Sequence, residues 1–258
     1  MTLCCLLPSP VEGTDNTPFK LSVYTLFYDE YEYLHQWIEC VSTFADEVLV
    51  VYTGSPNLYT SIENHIRGYN VNNIYSVPYI QDCSKYSKEW KQSDIRNYAL
   101  GKTRNDWTLQ LDIDETINGV ALKDQIGNRL RDFPELNGFA LPTLNLWTNG
   151  KVRVDGRWFP DWHWRVMNKK VSYTKGARHI TIAELPEVRK IRTTTSILPY
   201  MLGRIDCSIV HHKYLKPPVV INSMIRCVDK DVNEFDYYRG LKTASMEDIH
   251  LVMDKEVV

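Results

Sequence analysis

The sequence predicts an α/β fold in which a doubly wound, mixed sheet forms a single domain. Apolar segments of strand length alternate with segments of helical periodicity over the first 111 residues, a pattern typical of parallel strands joined by right-handed crossovers. Aromatic-rich, strand-like segments follow in the second half. A chain of 258 residues with 43% hydrophobic side chains is long enough to bury one substantial core.

The predicted elements of the first half follow one another in a regular order. Leu21–Phe27 is a nearly continuous apolar run, as in strands that a parallel sheet buries on both faces. A helix over Glu30–Thr43 follows, because its apolar residues recur at helical spacing. The next elements are a strand over Val48–Tyr52, a helix over Asn57–Arg67, a strand over Val71–Val77, a helix over Ser87–Lys102 and a strand over Trp107–Leu111.

In the second half we predict a helix over Leu122–Phe133, strands over Gly138–Trp147 and Lys151–Arg157, and a last helix over Met246–Met253. Prolines and polar residues mark 1–18 as a flexible N-terminal leader. The folded domain is expected over 19–215, and 216–258 is expected to be a C-terminal extension.

Composition narrows the classes of function and compartment. The net charge is -2 and no basic block occurs, so the sequence has no electrostatic footprint for a nucleic-acid backbone. The six cysteines show no disulfide spacing, which indicates a reducing compartment. The apolar start of the chain is too short for a signal peptide or a membrane span. We therefore expect a cytoplasmic protein, either free or peripheral at a membrane surface.

An acidic cluster follows the strand predicted over Trp107–Leu111. Asp112 and Asp114 come where ligands bind in open α/β folds, at the carboxyl edge of the sheet. Such carboxylates suit a divalent cation that keeps water and substrate phosphates as its other ligands. An acidic turn before the next helix is the plainer alternative. A calcium loop of the EF-hand type is excluded, because Ile117 and Lys123 replace its glycine and glutamate.

The segment Leu109–Thr116 also resembles the first motif of haloacid-dehalogenase-type phosphatases. In that interpretation Asp112 is the nucleophile and Asp114 the general acid/base. In that family the motif usually lies on the opening strand of the core domain, whereas three strand–helix units precede it here.

Over about 20–215 the chain resembles glycosyltransferase family 2, in the branch with an Asp-x-Asp-Glu signature. The segments that carry the resemblance are Ser22–Glu30, Ala45–Val51, Gly54-Ser55, Ser93–Leu100, Asp112–Glu115 and Gly156–Arg165. The resemblance implies a GT-A, Rossmann-like fold, with a nucleotide-sugar-binding half over 19–118 and an acceptor-side half over 119–215. It further implies a metal-dependent, inverting transfer of sugar from a nucleoside-diphosphate sugar to a hydroxyl of a glycan or another biomolecule.

The resemblance also implies ligands for the metal. Asp114 would bind Mn²⁺ or Mg²⁺, and Asp112 would contact the ribose and reach the metal through water. His211 is the candidate that completes the metal site, with His212 as the alternative. Glu115 would orient the loop or contact the acceptor side.

For the donor, Arg96 would contact the base or the diphosphate and Arg165 the diphosphate, because guanidinium groups suit planar polar edges and phosphates. Tyr28 would stack on the base. Tyr52 stands where the family has an aspartate that reads uracil, so we expect Tyr52 among the donor-contacting residues and leave the base undefined.

An inverting transferase needs a carboxylate that deprotonates the acceptor hydroxyl. Asp161 is our candidate, and Asp155 and Glu184 are its rivals.

A binding protein that kept the fold without activity is the main non-enzyme alternative. A nucleotidyltransferase is a further alternative. It would have a glycine-rich, basic loop after the first strand, but Phe27–Glu30 contains neither a glycine nor a basic residue. The sugar, the acceptor and the oligomeric state stay open.

Overall fold

The structure is a computed structural model. It describes residues 19–28, 30–69, 71–77, 92–146, 150–154, 161–170, 173, 202–205, 207–212 and 243–245. These residues form a mixed α/β fold around a nine-stranded sheet, which confirms the predicted fold class. No helix in these ranges is both long and apolar enough to cross a membrane.

The first half alternates strands and helices as predicted. Its elements are β1 (Leu21–Phe27), α1 (Tyr31–Ser42), β2 (Glu47–Tyr52), a 3-10 turn (Pro56–Leu58), α2 (Tyr59–Ile66), β3 (Asn73–Ser76), α3 (Gln92–Lys102) and β4 (Trp107–Gln110). Strand β1 pairs in parallel with both β2 and β4, and β2 pairs in parallel with β3. The start predicted for the third helix, at Ser87, lies outside the described residues.

The second half is a mixed sheet, also as predicted, with more strands than expected. Its elements are β5 (Glu115–Ile117), α4 (Gly119–Asp132), β6 (Gly138–Asn145), β7 (Val152–Arg153), β8 (Asp161–Asn168), β9 (Leu202–Arg204), β10 (Ile209–His211) and β11 (Thr243–Ala244). Helix α4 begins three residues before the predicted start, because the Asn118 side chain accepts a hydrogen bond from the Ala121 N–H and caps it. The helix predicted over Met246–Met253 lies outside the described residues.

The large sheet has the strand order β3-β2-β1-β4-β8-β6-β10-β5, with β9 also paired to β6. Strand β8 runs antiparallel between β4 and β6, whereas β10 is parallel to β6 and antiparallel to β5. Strands β4 and β5 are four places apart in this order, yet only residues 111–114 join them.

That short connection requires the sheet to curl. In a flat sheet β4 and β5 would lie about 19 Å apart, at about 4.8 Å per strand. The connection contains a turn in which the Glu115 N–H donates to the Asp112 carbonyl, so it cannot extend over that distance. The sheet therefore closes partly around the acidic turn and brings β6, β8 and β10 towards it.

Helices cover both faces of the sheet. One core cluster joins β1 and β2 to α1, α2 and α4 through residues such as Trp37, Ile62 and Leu122. A second cluster, on the other face, includes Tyr24 and Ile95 and so joins the sheet to α3. Successive residues of β1 and β2 alternate between the two clusters because successive strand side chains point to opposite faces.

Candidate functional site

The carboxyl edge of the sheet gathers the predicted site residues. Asp112 and Asp114 follow β4, and His211 ends β10, a strand that runs in the same direction. Arg165 lies on β8, the neighbour of β4. Residues separated by up to a hundred positions in sequence thereby meet at one edge, as expected for ligand sites of open α/β sheets.

Strand β8 carries a bulge at Arg165. The consecutive residues Phe139 and Ala140 of β6 pair with Val166 and Trp164, which leaves Arg165 as the extra residue on β8. Bulges re-aim a side chain and are common beside active sites. Here the guanidinium enters the acidic cluster, and Arg165 is only 6% exposed.

Arg165 joins three acceptors. Its two terminal nitrogens donate to the Asp112 Oδ2 atom at 3.2 and 3.1 Å. One of them also donates to the Glu115 carboxylate, and the other to the Gln110 amide oxygen. The second carboxylate oxygen of Glu115 accepts the Asp112 backbone N–H at 2.8 Å, so Glu115 fixes both the arginine and the turn.

Gln110 links this cluster to Arg96. Its amide oxygen also accepts from the Arg96 Nη1 atom at 2.6 Å, and its amide nitrogen donates to the Asp112 Oδ1 atom at 2.6 Å. The Arg96 guanidinium lies 5.6 Å from the ring centre of Tyr173. Gln110 was not among the predicted site residues, although a buried amide within an apolar strand was the available signal.

The charges of the cluster set its protonation states. Burial by itself raises the pKa of Asp112, but the charges of Arg165 and Arg96 outweigh it and hold that pKa well below its usual range. Burial raises the pKa of Glu115, and the charge of Arg165 only partly opposes this. For Arg165 the cost of burial is exceeded by the attraction of Glu115 and Asp112, which raises the pKa of its guanidinium. Asp112 and Arg165 therefore stay ionised.

Asp114 and His211 form a second pair beside the first. The His211 Nε2 atom lies 3.4 Å from the Asp114 Oδ2 atom, and both side chains are mostly buried. The other ring nitrogen, Nδ1, lies 2.8 Å from the Asn145 Oδ1 atom. His212 is held differently: its ring bonds the Thr116 hydroxyl at 2.9 Å and its backbone N–H donates to the Asp114 carbonyl.

A divalent cation fits the pair Asp114 and His211 in part. Within the described ranges, no three His, Cys, Asp or Glu side chains are grouped to hold a metal ion. Mg²⁺ is nevertheless usually bound by one or two carboxylates together with water and substrate phosphates. Two ligands at roughly 2.1 Å from one ion lie about 3 to 3.4 Å apart, and Asp114 and His211 match that spacing. Asp112 is instead engaged by Arg165 and Gln110.

Tyr28 is half-buried at the end of β1, where its N–H donates to the Glu30 carboxylate. Tyr52 is 1% exposed and packs in the core against Phe27 and Tyr59, because β2 is buried along its whole length. A contact between Tyr52 and a donor stays a prediction.

Asp161 is the first residue of β8 and pairs with Thr143 of β6, at the carboxyl edge. Its side chain lies outside the described part of the structure, and so do Asp155 and Glu184 altogether.

No protein-family model and no curated protein matches the chain. Among solved structures, it is similar to glucosyl-3-phosphoglycerate synthase from Mycobacterium tuberculosis in complex with Mn²⁺, UDP and glucosyl-3-phosphoglycerate. The identity is 12%, the match covers 81% of this chain and 76% of that chain, and the TM-score is 0.47. It is also similar to S. aureus TarS 1-349 in complex with UDP-GlcNAc, at 14% identity, 84% and 69% coverage and a TM-score of 0.44.

A match to a longer TarS chain spans only 22% of that chain. The matched structures thus include nucleotide-sugar glycosyltransferases. With identities below 20% and TM-scores below 0.5, these similarities carry no activity over to this chain.

Proposed function

We propose that the chain is a metal-dependent, inverting glycosyltransferase of the GT-A type that transfers a sugar from a nucleoside-diphosphate sugar to a hydroxyl acceptor. One observation supports this best: Asp114 and His211 face each other two residues from Asp112, whose carboxylate binds Arg165 and Gln110, and Gln110 in turn binds Arg96. A carboxylate–imidazole pair next to guanidinium groups suits a cation and a diphosphate together.

Arg96 is the stronger candidate for the diphosphate. Arg165 is neutralised by Asp112 and Glu115, whereas Arg96, within the described residues, contacts the neutral amide of Gln110 and the ring of Tyr173. The buried Arg96 Nε atom also has no hydrogen-bond partner there. A partly buried cation without a carboxylate partner favours an anionic ligand, because burying a charge unpaired is costly.

Asp114 and His211 would hold the Mn²⁺ or Mg²⁺ ion. When bound, such an ion acts as a Lewis acid that neutralises the charge developing on the departing diphosphate. The charges of Arg165 and Arg96 keep Asp112 ionised, and hydrogen bonds from Arg165 and Gln110 hold it in place, where its carboxylate would face the ribose hydroxyls of the donor.

On the acceptor side, we propose Asp161 as the general base. It would take the proton from the acceptor hydroxyl while the hydroxyl oxygen bonds to the anomeric carbon and the bond to the diphosphate breaks. Its support is its location on β8, which is the neighbour of β4 and starts at the edge where Asp112 lies. Asp161→Asn should lower turnover at least about a hundredfold and leave donor binding unchanged, and an unaltered turnover would remove Asp161 from this role.

A thermal-shift and product-release assay tests the proposed function. We expect Mn²⁺ to increase the stabilisation given by one or more sugar nucleotides in a panel of uridine, guanosine, cytidine and thymidine donors, and free nucleotide to be released. Asp114→Asn should abolish the metal effect. Asp124→Asn, an exposed aspartate on α4, is the matched control and should behave as the wild type.

The phosphatase interpretation makes the opposite prediction. It needs an oxygen of Asp112 free to attack phosphorus, yet both oxygens accept hydrogen bonds from Gln110 and Arg165. If no donor shifts the melting temperature and p-nitrophenyl phosphate is hydrolysed in a manner dependent on Asp112, the glycosyltransferase proposal is wrong.

A further inference from the structure

We infer that Asn145 is a positioning residue that fixes the tautomer of His211, so that the Nε2 lone pair of His211 points towards Asp114. The tautomer itself follows from contacts of this chain. Its consequence for metal binding rests on the proposed function.

The sheet register places Asn145 and His211 opposite each other. They are paired residues of β6 and β10, the last in each strand, so their side chains leave the same face. Asn145 is 2% exposed, and its Oδ1 atom lies 2.8 Å from the His211 Nδ1 atom. The contact spans 66 positions in sequence and is short and buried.

The chemistry of the two groups then determines where the proton lies. An amide oxygen can only accept a hydrogen bond, so the Nδ1 atom facing it must be the donor. A neutral imidazole carries one proton, which leaves a lone pair on Nε2. The ring nitrogen that faces Asp114 is therefore the one able to bind a metal.

The contact with Asn145 is the shorter of the two that the ring makes with these side chains. The His211 Nδ1 and Asn145 Oδ1 atoms lie 2.8 Å apart, within the usual hydrogen-bond range of about 2.7 to 3.2 Å, whereas the His211 Nε2 and Asp114 Oδ2 atoms lie 3.4 Å apart. Partners of this kind on metal-binding histidines fix the ring orientation, and their loss typically lowers metal affinity by about 10- to 100-fold.

Three variants separate positioning from packing. Asn145→Leu keeps a similar size and removes the acceptor, so Mn²⁺ affinity measured by titration with UDP or GDP present should fall about 10- to 100-fold. Asn145→Asp keeps an oxygen acceptor and should retain most of the affinity. Thr143→Val is the matched control on β6: Thr143 is equally buried and its hydroxyl has no hydrogen-bond partner among the described residues, so its loss should leave Mn²⁺ affinity unchanged.

The tautomer is measured directly, without metal or activity. In ¹⁵N-labelled, metal-free protein at a pH where imidazoles are neutral, the His211 signals, assigned with His211→Gln, should show a protonated Nδ1 and an unprotonated Nε2. In Asn145→Leu this preference should be lost. A protonated Nε2 in the wild type would overturn the inference, since it would mean that the Asn145 amide nitrogen faces the ring.

The two proposals fail differently. If the wild type shows the expected tautomer but binds no Mn²⁺, with or without nucleotide, the metal-dependent function fails while the role of Asn145 in fixing the tautomer stands. If the wild type binds Mn²⁺ and Asn145→Leu binds it equally well, the positioning role is refuted and the proposed function is untouched.

Discussion

Arg165 shows how much of the site depends on one side chain with a particular shape. Its planar guanidinium reaches Asp112, Glu115 and Gln110 at once, and a lysine in its place would offer a single point charge. The β-bulge delivers this side chain into the cluster. Asp112 and Glu115 therefore depend on Arg165 for their charge balance. We expect both the stability of the fold and the binding of the donor to depend on Arg165.

We expect Arg165→Met to lower the free energy of unfolding by about 3 to 5 kcal/mol, because it leaves the Asp112 and Glu115 carboxylates without their cation. Arg165→Lys should lose less stability, since lysine keeps the positive charge but lacks the planar guanidinium that reaches several acceptors. Urea unfolding measures both. The control is Arg67→Met, which removes an exposed ion pair with Glu63 and should cost less than about 1 kcal/mol. Equal losses in Arg165→Met and Arg67→Met would contradict this account.

Residue-scale contacts also explain which site residues the sequence could indicate. Asp112 and Asp114 form a local pattern, so the sequence alone singled them out as candidates. Asn145 and Gln110 act through partners 66 and 55 positions away, on strands whose register cannot be read from the chain. A lone asparagine at the end of an apolar strand carries no local signal of a histidine facing it.

At the scale of elements, the start of α4 is fixed by its contact with Phe44, in the turn that follows α1. A Cβ atom built on Gly119 would lie 1.8 Å from the Phe44 ring, so the backbone of α4 packs directly on that ring. The Lys123 ammonium adds a bond to the Phe44 carbonyl at 3.1 Å and one to Asp46 at 2.8 Å. These contacts anchor α4, and the Cys40 thiol adds contacts of 3.4 and 3.5 Å to the Ile117 backbone of β5, so both elements after the acidic turn are held.

Two glycines of α4 should therefore respond oppositely to alanine. Gly119→Ala should destabilise the protein by about 1 to 3 kcal/mol, because the new methyl group displaces the Phe44 ring. Gly127→Ala, in the same helix, places its methyl group where no described atom lies within 4 Å, and it should stabilise the protein by about 0.5 to 1 kcal/mol. Urea unfolding of both variants tests this. Stabilisation by both variants would show that helix propensity, rather than the contact with Phe44, decides the outcome, and destabilisation by Gly127→Ala would contradict the open space around it.

The elements that the sequence predicted most closely have a helical period or a continuous apolar run. Helix α1 and strands β1, β2 and β4 were found within one residue at each end, because α1 repeats its apolar positions at helical spacing and β1 and β2 are nearly continuous apolar runs. Strands β5, β9 and β10 have three residues each, too few to show a period. The bulge at Arg165 also breaks the alternation within β8. These strands depend on their neighbours in the sheet, which a local pattern does not reveal.

At the scale of the whole molecule, the carboxyl and amino edges of the sheet differ in their role. The carboxyl edge holds the candidate site, whereas the amino edge is held together by Glu47. The Glu47 carboxylate, 1% exposed, accepts hydrogen bonds from the Ser22 hydroxyl at 2.6 Å and from the Arg104 backbone and side chain at 2.7 Å. It thereby ties β1 and β2 to the segment that enters β4.

This carboxylate should make global stability depend on pH. Burial tends to raise the pKa of Glu47, but the hydrogen bonds from Arg104 and Ser22 outweigh it, and the pKa is lowered. The folded state therefore binds this proton less readily than the unfolded chain, whose glutamates titrate near about 4.3. The stabilisation is complete above that value and is lost as the pH falls through the folded pKa.

We expect Glu47→Gln to lower the free energy of unfolding at about pH 7, and the difference from the wild type to shrink as the pH falls below about 4.3. Other titrating groups are shared by both proteins and largely cancel in this difference. Glu63→Gln on the surface of α2 is the control, and its difference should be small throughout. Urea unfolding at several pH values decides the matter: a Glu47→Gln difference that stays constant or grows towards acid would show that the hydrogen bonds of Glu47, and not its charge, hold the amino edge.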